Sequence, residues 1–206
     1  MNSERAKFIH LDGMDLAGKS LIANSFASRQ SAPWIVQRKS ICQEENIIRL
    51  LADSIGRSDS FSPEILGNLY AVALMADLEM FTWPEVNTIQ DSTIILRSLA
   101  FHTVSGTPRI PEVLVDMLPQ HPLFDHSFIL TASLEARLQR LEQRRKDRTD
   151  LVTERDLMIV AAPERFMAME AVIVEIGRKH FHSETIDTTR LTPELVVSQI
   201  ERYVLK

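Results

Sequence analysis

Lys7-Phe8-Ile9-His10-Leu11-Asp12-Gly13-Met14-Asp15-Leu16-Ala17-Gly18-Lys19-Ser20 opens as a short apolar run, passes through a glycine-containing turn, and leads into a helical pattern from Gly18 to about Gln30. That order reads as a buried strand, a loop and a helix. Gly13 to Ser20 also has the spacing Gly, four residues, Gly, Lys, Ser/Thr, in the strand-to-helix setting that a phosphate-cradling loop requires. Glycines let the backbone close around phosphate oxygens, while the loop amides and the helix amino terminus supply donors. Lys19 adds a mobile positive charge for the outer phosphates, and Ser20 can ligate Mg²⁺. The expected triphosphate-binding segment is therefore Gly13, Met14, Asp15, Leu16, Ala17, Gly18, Lys19, Ser20 and Leu21.

Outward from this loop, strands alternate with helical stretches. Pro33 to Gln37 reads as a second strand, followed by helical periodicity over Glu44 to Ile55 and from Ser62 to about Phe81, with Pro63 suited to a first turn. The third strand is either Val86 to Asp91 or Thr93 to Leu96. The first choice is adopted, and it leaves Ser92 to His102 helical, with Arg97 and Phe101 on one face. Ser127 to Thr131 is a fourth strand, and Leu134 to Leu141 begins a helix. Thr153 to about His180 is helical with an interruption near Pro163, Glu184 to Thr188 is a fifth strand, and Thr192 to Val204 is a closing helix. The expected fold is α/β: a P-loop architecture with a central, mostly parallel five-stranded sheet, helices on both faces, and ligands at the carboxyl ends of the strands.

The 206 residues, 45% of them hydrophobic, carry no repeat, low-complexity tract or linker, so one domain spanning 1–206 is expected. A net charge of −5 and a pI near 5.7 argue against a protein built around the nucleic-acid backbone. The lone Cys42 cannot form an internal disulfide, and no apolar run approaches a membrane span. A cytoplasmic, soluble chain without a membrane or nucleic-acid partner is the expectation. His121, His126, His180 and His182 lack metal-ligand spacing, and Trp34 and Trp83 read as packing residues.

The run from Leu11 to Ser20, with an acid just before the first glycine, resembles the opening of thymidylate kinases and deoxynucleoside kinases, and the Asn-Lys-x-Asp motif of GTPases is absent. Glu135 to Arg148 resembles the helix that in these kinases leads into an arginine-rich lid, and Thr185 to Thr189 resembles their last strand and the turn near the adenine. The resemblance implies an ATP- and Mg²⁺-dependent kinase acting on a small nucleotide or nucleoside acceptor, with a lid at about 142–153. It makes Asp12, which matches the proton-accepting acid of deoxynucleoside kinases, a candidate base. Asp15 matches the acid that contacts the acceptor sugar in thymidylate kinases. Either aspartate has a second reading, as an acceptor of loop amides. Arg144 and Arg148 are the implied catalytic lid residues and Arg145 an implied nucleotide ligand, because an arginine fork holds phosphate oxygens in two places. Arg137 and Arg140 belong either to this set or to a solvated helix face.

The sequence also departs from that family. Thymidylate kinases carry an Asp-Arg pair at the end of the third strand and another arginine on the preceding long helix, both directed at the acceptor's monophosphate. Here no lysine or arginine occurs from Ser58 through Leu96, so the helix containing Tyr70, Asp77 and Glu79 lacks that clamp. In one alignment Asp91 keeps the aspartate, a candidate metal ligand with Ser20, and Ser92 replaces the arginine. In the other, Arg97 keeps the arginine and Leu96 replaces the aspartate. Leu99-Ala100-Phe101-His102 resembles the family's Leu-Ala-Tyr-Gln segment, which supports the first alignment and sets Phe101 against a base or, as is common for helix-spaced aromatics, in the core. Arg38, where the family has Arg-Glu-Pro-Gly, and Arg97 are candidate replacements for the missing ligands; Lys39 and Ser40 depart from that motif. A dianion leaving water must be paired. Convergence of Arg38 and Arg97 therefore keeps a monophosphate acceptor open, and divergence favours a nucleoside or other hydroxyl compound. Leu69, Val72, Ala73 and Ala76 form either a homodimer face or a core stripe. The competing expectations are a kinase of another alcohol or modified base, and a regulator that binds a triphosphate and transfers nothing.

Overall fold

The computed structural model describes residues 5–56, 61–147, 152 and 154–205. Five strands, β1 (Phe8–Asp12), β2 (Trp34–Lys39), β3 (Asn87–Thr93), β4 (His126–Thr131) and β5 (Glu184–Asp187), form one sheet in the order β2-β3-β1-β4-β5. Every pairing is parallel. Parallel neighbours cannot be joined by a tight turn, so the chain fills the crossovers with helices. Those described are α1 (Lys19–Arg29), α2 (Ile47–Ile55), α3 (Pro63–Met80), α4 (Ile94–Ser105), α5 (Ile110–Met117), α6 (Leu134–Asp147), α7 (Glu154–Ala161), α8 (Pro163–Phe181) and α9 (Pro193–Val204).

All five residues of the central strand β1 are buried. Side chains alternate across a strand, so Phe8, His10 and Asp12 face one layer and Ile9 and Leu11 the other. Phe8 joins the core under α3, α4, α5 and α8, with Leu74, Leu99, Leu114 and Phe166. Ile9 and Leu11 meet Phe26 of α1 and Val197 of α9 in the opposite layer. Each fully buried phenylalanine contributes roughly 1.5–3 kcal/mol. Trp34 meets Phe26 edge-on, and Trp83 meets Phe8 in the same way with the Arg5 guanidinium 3.6 Å from its ring centroid.

Several boundaries differ from the sequence expectation for local reasons. α2 begins at Ile47, after Glu44, because Asn46 is an N-cap whose side chain accepts from the Arg49 amide at 2.9 Å. β2 and β3 each run two residues past their expected ends. Ser92, expected to be helical, takes a left-handed φ of 68°, and Thr93 caps α4, which starts at Ile94. α5 was not anticipated; its cues are Pro111 in the first turn and an apolar face. The helix expected from Leu134 to Leu141 continues to Asp147. Ala73 is fully buried within its own chain whereas Val72 is 47% exposed, so the stripe with Leu69 and Ala76 divides between core and surface. No described helix is long and apolar enough to cross a membrane.

α3 and α4 touch at Gly67, where an added Cβ would lie 2.8 Å from the His102 ring. His102 and His121 are both buried, and desolvation lowers each pKa from 6.5 to about 4. Above pH 6.5 both are neutral whether the chain is folded or unfolded. Below it the unfolded chain takes up protons that the folded chain refuses. The thermal unfolding midpoint is therefore expected to fall between pH 6.5 and about 4, less steeply in His121→Asn. Equal slopes in the two proteins would show that His121 is not part of the cause.

Candidate active site

Gly13 leaves β1 with φ 137°, and a Cβ there would stand 2.1 Å from the Leu130 carbonyl oxygen, so only glycine lets the loop lie against β4. Gly18 has φ 95° and nothing within 4 Å of a built Cβ. It caps α1 without a side-chain bond, and the first helical bond runs from the Ile22 amide to the Gly18 carbonyl at 3.0 Å. The first-turn amides ahead of it therefore have no helical acceptor. They open onto the space beside Gly18, a cradle suited to an anion.

Lys19 is 8% exposed, and its Nζ donates to the Met14 carbonyl at 3.0 Å and lies 3.9 Å from Asp15 Oδ1. Burial, then the neighbouring Arg97, pulls its pKa below the usual lysine range against the pull of Asp15, Asp12 and Asp91. Ser20 Oγ donates to Asp91 Oδ2 at 2.6 Å. A hydroxyl and a carboxylate side by side are hard oxygen donors of the kind Mg²⁺ prefers. They fit the ion that the loop motif implies. Among the described residues no group of three or more His, Cys, Asp or Glu could hold a metal.

The two candidate arginines both pair with carboxylates at or beside the loop. Arg38 Nε lies 3.6 Å from Asp91 Oδ2, with most of its side chain exposed. Arg97 Nη2 donates to Asp15 Oδ1 at 2.7 Å, and its Nη1 to the Gly13 carbonyl at 3.1 Å. Burial works to lower the Arg97 pKa, and the Asp15 and Asp12 carboxylates more than reverse this.

Asp12 is fully buried. Its Oδ1 accepts from the Gly13 amide at 2.7 Å and its Oδ2 from the Thr93 amide at 3.1 Å, so it ties the start of the loop to the β3–α4 turn. His10 Nε2 stands 3.4 Å from the same Oδ2. Burial raises the Asp12 pKa, but His10, then Arg97 and Lys19, outweigh it and hold the carboxyl below its ordinary range. Of the two readings of Asp12, a proton-accepting base and an acceptor of loop amides, the bonds from the Gly13 and Thr93 amides accord with the second.

On the other side of the loop lies a groove of about 470 Å³ lined by Gly18, Lys19, Arg140, Arg144, Thr188 and Pro193, among others. Arg140 donates to the Leu16 carbonyl at 2.9 Å and the Thr188 carbonyl at 2.6 Å, and Thr188 Oγ1 donates to the Ala17 carbonyl at 3.2 Å. Arg144 Nη1 donates to Asp156 Oδ1 at 2.9 Å. Arg145 and Leu21 are exposed, and Arg148 lies outside the described residues, as does much of the expected lid. A solvated-face reading fails for Arg137, which is fully buried against Glu170 and the Phe166 ring, and for Arg140, which holds the groove. Phe101 packs on the core with the Arg165 guanidinium 5.2 Å from its ring centroid, an arrangement that covers one face of the ring.

Thr93, Thr188 and Asp156 are not singled out as site residues by the sequence, whereas Arg140 is one of its alternatives for the lid set. Arg140 and Thr188 lay inside segments already marked for their resemblance; Thr93 and Asp156 carry no local signal, since only the tertiary fold brings them to the loop.

No protein-family model matches the chain, and no curated protein matches it in sequence. Its structure is similar to that of thymidylate kinase from Candida albicans, at 16% identity and a TM-score of 0.69 over 98% of this chain and 92% of that one. It is also similar to thymidylate kinase from Ehrlichia chaffeensis, at 11% identity and a TM-score of 0.63 over 98% and 100%. The chain has the thymidylate kinase-like P-loop fold.

Proposed function

We propose that this chain is an ATP-dependent kinase that moves the γ-phosphoryl group to a nucleoside monophosphate or nucleoside-like acceptor. The observation that carries this reading is the hydrogen bond from Ser20 to Asp91 beside the Gly18–Lys19 cradle, which joins a phosphate loop to a carboxylate at the end of the neighbouring strand. In the transfer, an acceptor oxygen bonds to the γ-phosphorus while the bond to the β–γ bridging oxygen breaks and leaves ADP; a hydroxyl acceptor also gives up its proton. Ser20, and Asp91 directly or through water, would hold Mg²⁺, which would supply positive charge to the phosphate oxygens. Lys19 and the lid arginines Arg144, Arg145 and Arg148 share the charge that develops on them, the main task in phosphoryl transfer. Asp15, positioned by Arg97, is the carboxylate nearest the mouth that can orient an acceptor hydroxyl. Arg38 and Arg97, each paired with a carboxylate at or beside the loop, support an acceptor with a phosphate group over one without.

On this reading residues 1–206 act as one domain in the cytoplasm, with a lid over about 142–153, and of the stripe Leu69, Val72, Ala73 and Ala76 the exposed Val72 offers part of a homodimer face. The test is ADP release from Mg-ATP with panels of nucleosides and their monophosphates. Stimulation by at least one is expected. Release that no acceptor stimulates would contradict transfer and favour a triphosphate-binding regulator. Asp91→Asn should raise the Mg²⁺ half-saturation about 10–100-fold, as loss of an inner or outer metal partner does; an unchanged value would remove Asp91 from the site.

A further inference from the structure

A second charged cluster stands at the carboxyl end of β2, across the loop from the groove at Arg140 and Thr188. Lys39 Nζ donates to Asp53 Oδ2 at 2.5 Å, and Arg49 Nη1 donates to the same oxygen at 2.9 Å. The Tyr70 hydroxyl donates to Asp53 Oδ1 at 2.7 Å. β2, α2 and α3 thus each contribute a donor to one carboxylate, and two cations against one anion leave a surplus positive charge. Arg49 is largely buried, and its Nε is enclosed with no hydrogen-bond partner among the described residues. Lys39 sits at a break in the β2–β3 register with a left-handed φ of 64°, uncommon for lysine. Such strain persists where surrounding contacts hold it and concentrates at ligand sites. The next residue is fixed too, since Ser40 donates to the buried Asp77. The sequence from Ser58 through Leu96 has no lysine or arginine, and among the described residues Arg38, Lys39, Arg49 and Arg97 supply positive charge on this side.

We infer that Lys39 and Arg49, with the Tyr70 hydroxyl, form an oxyanion subsite for a phosphate or carboxylate group of the acceptor, and that Asp53 is the internal counter-ion holding the two cations in place. The subsite deepens the kinase reading and rests on it for the identity of its ligand as acceptor. An incoming oxyanion takes the surplus charge and competes with Asp53 for its donors, so the carboxylate sets the affinity from below. Ligand binding and fold maintenance then respond to Asp53 with opposite signs.

The experiment titrates inorganic phosphate, and in parallel acetate, into the full chain by calorimetry, with and without Mg²⁺ and a non-hydrolysable ATP analogue to fill the phosphate loop. Uptake that persists with the analogue bound is expected, at least tenfold weaker in Lys39→Gln and Arg49→Gln and several-fold tighter in Asp53→Asn. Preference for phosphate or acetate identifies which oxyanion the subsite is built for. Uptake abolished by the analogue, or unchanged in Lys39→Gln, overturns the subsite. Lys39 is partly exposed, so its variant decides the matter should Asp53→Asn fail to fold. Failure of the kinase reading looks different: the analogue does not bind or no acceptor stimulates ADP release, while the variants still change phosphate uptake.

Discussion

Lys19→Ala is expected to lower acceptor-stimulated ADP release on the order of 10²- to 10³-fold, the usual loss when one preorganised charge-stabilising donor is removed. Among the described residues this ammonium has only the Met14 carbonyl as a close hydrogen-bond acceptor and a carboxylate at 3.9 Å, and it is nearly enclosed. A buried lysine so sparsely held contributes little to stability, and its lowered pKa is the mark of a charge kept in place against its desolvation cost. The variant should therefore unfold close to the parent temperature while losing turnover. Lys19→Arg should rescue poorly, because a planar fork is no substitute for a point charge in a cradle shaped by glycine. Turnover unchanged by the alanine would remove the loop from the chemistry.

Gly13→Ala should be the most destabilising small substitution at the site. The new Cβ would have to occupy space 2.1 Å from the Leu130 carbonyl, a backbone atom of a central strand that cannot move aside, and φ 137° disfavours any side chain. Overpacking and left-handed strain together cost roughly 2–5 kcal/mol, which in a chain of this length lowers the melting temperature by roughly 5–20 °C. Gly18→Ala provides the contrast. Its Cβ meets nothing within 4 Å, so it carries the conformational strain alone, yet it projects into the space left for phosphate. Melting curves and nucleotide titrations of the two variants should separate: the first loses stability, the second chiefly binding. Equal melting temperatures would refute the close approach of loop and strand.

Lys7 to Ser20 carries most of the fold because a strand, a glycine loop and a helix in sequence restrict what can follow. The alternation of apolar and helical patterns then placed all five strands to within two or three residues. Position within the sheet was not legible, since strand order depends on which faces the helices cover. Misreadings at Ser92 and Glu44 arose where a side-chain cap or a left-handed residue overrides periodicity. At the site, the loop residues are candidates from spacing, and Asp91 is one only through the resemblance to the family's Asp-Arg pair. Acceptance of loop amides by Asp12 is one of the two readings the sequence offers, but its Thr93 partner is not legible there, because that contact depends on β1 and β3 being neighbours. Charge was legible only as an absence: the sequence shows that α3 has no cations, while the meeting of Lys39, Arg49 and Tyr70 at Asp53 exists only once α2 has folded against α3.

The central claim is that the backbone from Gly13 to Ser20 grips the phosphates of a nucleoside triphosphate, with magnesium completing the site. Calorimetric titration of ATP into the chain, in the presence and absence of Mg²⁺, measures this most directly. Saturable binding at one site is expected, weakened by withdrawal of the metal and by Lys19→Ala. Absence of binding under both conditions would contradict it.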